Sequence, residues 1–104
     1  MRVVAMSKGV KPMAISKETK NNLCMNLGTN LSTIRAKTDI SQDELAAKLG
    51  ITRQTITAIE TKRRVMQWST FVALILFFTR NDEVKSIMEV MGIYTVDVKE
   101  ALKI

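Results

Sequence analysis

Ser41-Gln-Asp-Glu-Leu-Ala-Ala-Lys-Leu-Gly-Ile-Thr-Arg-Gln-Thr-Ile-Thr-Ala-Ile-Glu-Thr61 carries two helix starts and a stop. Ser41 and Glu44 have the spacing of a capping box, in which a hydroxyl and a carboxylate each accept from a free backbone N–H at a helix start. A short helix therefore begins near Gln42, with Leu45 and Leu49 as its buried stripe. Gly50 sits where a left-handed residue can end it, and Thr52 offers the next N-cap. Two helices crossing steeply through a short turn need a small residue at the crossing, a turn residue tolerant of positive φ, and apolar anchors on both inner faces. Ala46, Gly50 and the pair Ile56 and Ile59 fill those places. With Ile56 and Ile59 turned inward, helical geometry turns Arg53, Gln54, Thr57, Ala58 and Thr61 outward together. The pattern predicts a helix-turn-helix over residues 42–61 with a polar outer face.

Working toward the N-terminus, Leu23, Leu27, Leu31 and Ile34 form one stripe of an amphipathic helix that starts from Ser16 as cap. Gly28 either weakens that helix or marks its true beginning. Residues 1–15 show no sustained period and contain Gly9 and Pro12, so they read as a flexible basic arm. On the other side, the second helix of the motif closes at Lys62-Arg63-Arg64, cations suited to the negative end of a helix dipole. Trp68 to Phe78 reads as a fourth helix. A fifth is capped by Asn81 and runs through Val84, Ile87, Met88 and Met91 to Gly92. The tail, residues 93–104, fits a short strand over Tyr94–Val98 or a last helical turn at Val98, Ala101 and Leu102. The expected class is all-α: a compact five-helix domain over residues 16–92, flanked by the arm and by a tail that is a candidate dimerisation element.

Composition bounds the chemistry. A chain of 104 residues has room for one core. With 46% hydrophobic and 25% charged residues it is expected to fold. Sixteen Lys and Arg against ten Asp and Glu leave a net charge of +6, concentrated in residues 1–22 and 51–64, which favours a polyanionic partner. There is no His, and Cys24 is the only Cys, so imidazole bases, zinc clusters and Cys-His nucleophiles are excluded. Cys24 reads as an apolar packing residue in a reducing setting. No metal site, cofactor or enzymatic activity is expected. The longest apolar run, Phe71 to Phe78, is far shorter than the roughly twenty residues that span a bilayer. With no secretory signal in the opening residues, a cytoplasmic location is expected.

Residues 26–64 resemble the DNA-binding domain of the phage lambda Cro and repressor family, also called the Xre family; the stretch Ile40 to Glu60 and the first-helix segment Asn26 to Arg35 carry the likeness. The resemblance implies a lambda-repressor-like fold that binds double-stranded DNA. It implies that Gln42 contacts a phosphate and braces the recognition helix, and that Arg53 and Gln54 read base edges. Arg can fork onto guanine O6 and N7, and Gln onto adenine N6 and N7. Thr57 and Ala58 would lie lower in the groove, with their methyl groups against a thymine methyl. Thr52, Thr61, Lys62, Arg63 and Arg64 would meet phosphates. Arg35 and Glu60 match positions that form a partly buried ion pair in several members.

Two departures from the family stand out. After Glu60 the usual Asn-Gly and the later Pro are replaced by Thr61-Lys-Arg-Arg-Val-Met. The fourth helix is apolar nearly all round and must be covered on more than one side. Either the first helix and the tail cover it within one subunit, or Trp68, Phe71, Val72, Phe78, Met88 and Met91 form a dimer interface. The expected function is a sequence-specific transcriptional regulator, a repressor rather than an activator, that binds a palindromic operator as a homodimer. The alternative is a protein-interaction module, such as an antitoxin or anti-repressor partner, with an exposed apolar surface on the fourth helix or tail. With no added sensor domain, no effector pocket is implied.

Overall fold

Side-chain caps set most of the helix starts in the computed structural model, which describes residues 15–103. Ser16 accepts from the Thr19 N–H ahead of α1 (Lys17–Lys37), and the Ser41–Glu44 capping box closes both ways ahead of α2 (Gln42–Leu49). Thr52 accepts from Thr55 ahead of α3 (Arg53–Glu60). Asn81 and Thr95 do the same for α5 (Asp82–Val90) and α6 (Val96–Ala101). Only α4 (Trp68–Phe78) starts without a side-chain cap. It is held by burial of Phe71, Leu74, Ile75 and Phe78 instead.

Four helix ends share one backbone arrangement. At the ends of α1, α2, α3 and α5 a residue in the left-handed region, Asp39, Gly50, Lys62 or Gly92, is followed by one whose N–H reaches back five residues to a helical carbonyl. The N–H of the left-handed residue itself reaches back three. This is the Schellman motif, which satisfies carbonyls that the helix leaves unpaired. Ile40, Ile51 and Ile93 take the position after the left-handed residue in α1, α2 and α5, and Ile93 is fully buried. At the end of α3 that position is Arg63.

The all-α class and the lambda-repressor-like architecture hold, with six helices where the sequence predicts five. The sixth comes from the tail: the Thr95 cap and the fully buried Val98 fix a helical turn, and no strand exists among the described residues for Tyr94–Val98 to pair with. Lys99 ties α6 to α5 through Glu89 at 2.6 Å. The flexible arm expected at residues 1–15 lies outside the described residues except for Ile15, which packs against the core edge.

The strut of the domain is α1, which lies against α3 and α4 while α2 packs on α3. Leu23, Cys24, Leu27, Leu31 and Ile34 are buried along it. It runs unbroken through Gly28, whose missing side chain admits Ile59: a Cβ there would stand 3.4 Å from Ile59 Cγ2. Near its middle, the Asn26 amide donates to the Met91 carbonyl at 3.0 Å and fastens the end of α5 to α1. The subunit's own core takes up Phe71, Phe78 and Met88, each at most 1% exposed, so these three present no surface to a second copy. Of the face expected for a dimer, Trp68, Val72 and Met91 remain half-buried.

Candidate nucleic-acid interface

The first turn of α3 rests on a chain of polar contacts that begins in α1. Arg35 grips Glu60, the last residue of α3, through Nε at 2.7 Å and Nη2 at 3.1 Å, and its Nη1 donates to the Ile40 carbonyl at 3.0 Å. The two side chains are 18% and 9% exposed, so the pair is largely withdrawn from water. Hydrogen bonding to Glu60 holds the Arg35 pKa above its ordinary value against the opposing effect of burial, and the carboxylate's charge adds to the rise. Glu60 Oε1 also accepts from the Gln42 amide at 2.8 Å. The Gln42 carbonyl in turn accepts from Thr57 Oγ1 at 3.1 Å and from Arg53 Nε at 3.3 Å. One continuous network thus joins the end of α1, the start of α2 and both ends of α3.

Above this frame Arg53 and Gln54 are exposed, and with Thr57 and Arg63 they line one open dip on the outer face of α3. Beneath, Ile56 and Ile59 are buried, which fixes the rotation of the helix. Residues 31–65 match the family model described as helix-turn-helix. These residues are a helix-turn-helix of the Cro and repressor, or Xre, type. Neither a curated protein nor a solved structure matches the chain. The helix-turn-helix makes the chain a DNA-binding regulator in general terms, with α3 as recognition helix. None of the described helices is long and apolar enough to cross a membrane.

The structure separates residues that the sequence groups together. Lys62, Arg63 and Arg64 diverge around the end of the recognition helix. Arg63 joins Arg53 and Gln54 on the outer face. Arg64 folds back to donate to Thr55 Oγ1 at 3.2 Å, and Lys62 turns toward α1. Three threonines are engaged internally. Thr52 caps α3, Thr57 braces Gln42, and Thr61 donates to the Thr57 carbonyl at 2.8 Å. Thr57 and Ala58 are half-buried, lower on the helix than Arg53 and Gln54.

One charged neighbour of the site goes unnoticed in the sequence. Asp43 lies 3.8 Å from Arg53 Nε, with both side chains well exposed, so a carboxylate stands beside the guanidinium on the outer face. Its only sequence signal is its place next to Gln42 in the first turn of α2, which reads equally well as a favourable charge at a helix N-terminus.

Proposed function

We propose that the chain is a transcriptional repressor that binds a palindromic operator as a homodimer, with Arg53, Gln54, Thr57 and Ala58 facing base edges. The observation that carries this reading is the exposed pair Arg53 and Gln54 at the start of the recognition helix, with Arg53 tied through Nε to the Arg35–Glu60–Gln42 network. A guanidinium and a carboxamide held on one face suit bidentate contacts to guanine and adenine in the major groove. Gln42, Thr52, Thr61, Lys62, Arg63 and Arg64 flank that face and supply the phosphate contacts. Gln42 keeps one amide hydrogen for a phosphate while the other holds Glu60.

One such helix reads one half-site, and two half-sites a helical turn apart call for a two-fold pair of subunits. Trp68, Val72 and Met91, half-buried, together with the exposed Leu76, Val90 and Val96, are among the apolar side chains available for that pairing. Exposed Leu76 on α4 and Val96 on α6 also favour a second reading, a module that docks on another protein.

Selection from a random duplex library at about 0.15 M salt, with the wild type beside an Arg53→Ala, Gln54→Ala double variant, decides between them. The expected result is an enriched palindrome that the double variant loses. Weak and equal binding by both proteins, vanishing as salt rises, would mean phosphate attraction alone and would put the protein-docking reading first. Sedimentation at high micromolar concentration should show a dimer; a monomer there without DNA counts against pairing in solution.

A further inference from the structure

A cavity of about 210 Å³ lies between α1 and the segment that follows the recognition helix. Its floor is apolar: Cys24, Gly28, Ile59 and Met66 are all buried. Gly28 keeps it open, because any side chain there would extend from a Cβ already 3.4 Å from Ile59 Cγ2 and 3.8 Å from Met66 Cε. At the rim stand two exposed apolar side chains, Met25 and Val65, at 63% and 72% exposure. The charged residues lining it, Lys62 and Arg64, are both cations. Neither has a carboxylate within 4.0 Å among the described residues, and the sequence of residues 1–14 contains no acid.

An apolar hollow edged by two cations that have no carboxylate partner among the described residues, Arg64 donating only to the neutral Thr55 hydroxyl at 3.2 Å, selects for a particular chemistry. A bare phosphate would leave the hollow unfilled, and a neutral hydrocarbon would leave the cations unmatched. A molecule with a short apolar tail and one anionic head satisfies both, since tail burial supplies the drive and a charge-assisted hydrogen bond fixes the head. The size is suitable, because an apolar cavity of about 150 Å³ is enough to hold benzene. We propose that this cavity binds a small monocarboxylate with an aliphatic or aromatic tail, the tail lying on Gly28, Ile59 and Met66 and the carboxylate on Lys62 and Arg64.

Such a site would also regulate. Lys62 holds the left-handed position that ends the recognition helix, and Arg64 follows two residues later. A carboxylate on these two charges removes them from phosphate neutralisation, so an occupied cavity weakens the protein's hold on DNA. By linkage DNA weakens the ligand's hold to the same degree. This second consequence rests on the DNA-binding reading proposed above; the site itself does not.

The test is a titration of the full, isotopically labelled chain with octanoate in the absence of DNA, followed by amide resonances. 1-Octanol serves as the neutral match and acetate as the tailless one. Octanoate should shift Gly28 and residues 62–66 saturably, with a dissociation constant of about 0.1–1 mM, the range open to a ligand of this size. Octanol and acetate should bind about tenfold more weakly or worse, because each loses one half of the recognition. A Lys62→Asn, Arg64→Gln double variant keeps a residue type that tolerates the left-handed conformation and should lose the preference for octanoate over octanol. No saturable shift, shifts centred elsewhere, or octanol binding as tightly as octanoate would overturn the site. Saturating octanoate should then lower the wild type's affinity for duplex DNA about tenfold, the effect of losing two phosphate contacts at moderate salt. Unchanged DNA affinity in the presence of demonstrated octanoate binding overturns the regulatory coupling and leaves the site. Failure to bind DNA with or without octanoate overturns the DNA reading alone.

Discussion

The ends of α2 and α3 close with the same pair of backbone hydrogen bonds and with opposite side chains. At the end of α2 the left-handed residue is Gly50 and the next is Ile51, half-buried against the core. At the end of α3 the corresponding residues are Lys62 and Arg63, both exposed and charged. A left-handed residue with a side chain costs about 1–2 kcal/mol more than glycine there. The apolar contact that usually accompanies this motif is also given up at Arg63. The first end is built for the turn inside the motif. The second accepts a worse helix stop in exchange for two cations where the recognition helix meets its surroundings. On the function proposed above, the difference teaches that stability and binding are divided between two copies of one backbone device.

The strongest way to break the comparison is to remove what anchors the α3 end from below. Arg35→Ala would leave Glu60 largely buried with only Gln42 as partner, and should cost about 3 kcal/mol or more in chemical denaturation. Replacing Arg35 and Glu60 together by Met and Leu should cost much less, since no charge is then stranded. If Arg35→Ala unfolds at the wild-type midpoint, the α3 end is not anchored through this pair. Gly50→Ala tests the α2 end. No atom lies within 4 Å of the added methyl, so the loss of about 1 kcal/mol should come from backbone strain alone.

Lys62→Gly sharpens the contrast, because it should move stability and binding in opposite directions. Relief of the left-handed strain should stabilise the fold by about 0.5–1 kcal/mol. Loss of one cation should lower DNA affinity evenly across sequences and reduce the salt slope by about one. A variant that loses stability would show that the lysine side chain itself supports the end of α3.

The smallest expected effect is at the start of α2. Hydrogen bonds from the Ser41 backbone and hydroxyl hold the exposed Glu44 carboxyl below its ordinary pKa. Its folded-state pKa is depressed, so the contribution is fully present above the ordinary carboxylate range and is lost as pH falls through the lowered value. The stability gap between wild type and Glu44→Ala should therefore narrow on acidification and stay flat above neutrality. A gap that widens toward acid would contradict the capping role.

Much of the fold is legible because its signals are short-range. Ser16, Ser41 with Glu44, Thr52 and Asn81 act within three residues of themselves, and each caps the helix it is expected to cap. Gly50 and Gly92 are legible for the same reason. Lys62 is not: nothing about a lysine announces a left-handed backbone, and only the backbone bonds of Lys62 and Arg63 to Ile59 and Ala58 reveal it. Burial is also poorly legible where it depends on distant packing. Phe71, Phe78 and Met88 look like a sticky face in the sequence because α4 is apolar nearly all round, yet they fill the subunit's own core. The tail is ambiguous for a related reason, since Val96 and Val98 suit a strand until Val98 finds a place in the core. On the outer face, the helical repeat alone places Arg53 and Gln54. It cannot show that Lys62, Arg63 and Arg64 diverge, because chain geometry past a helix end has no period.

Trp68 has a use beyond packing. It is the one indole in the chain, stacked on Phe71 with ring centroids 4.7 Å apart and with the Lys20 ammonium 5.3 Å from its ring. Lys20 is lost when α1 and α4 separate and the stack on Phe71 when α4 itself unwinds, whereas Trp68 lines neither the outer face of α3 nor the cavity beside Gly28. Its ultraviolet emission therefore reports unfolding while staying nearly silent to events at those two places. The molecule carries its own optical gauge, against which every variant above can be checked for integrity without attaching a dye.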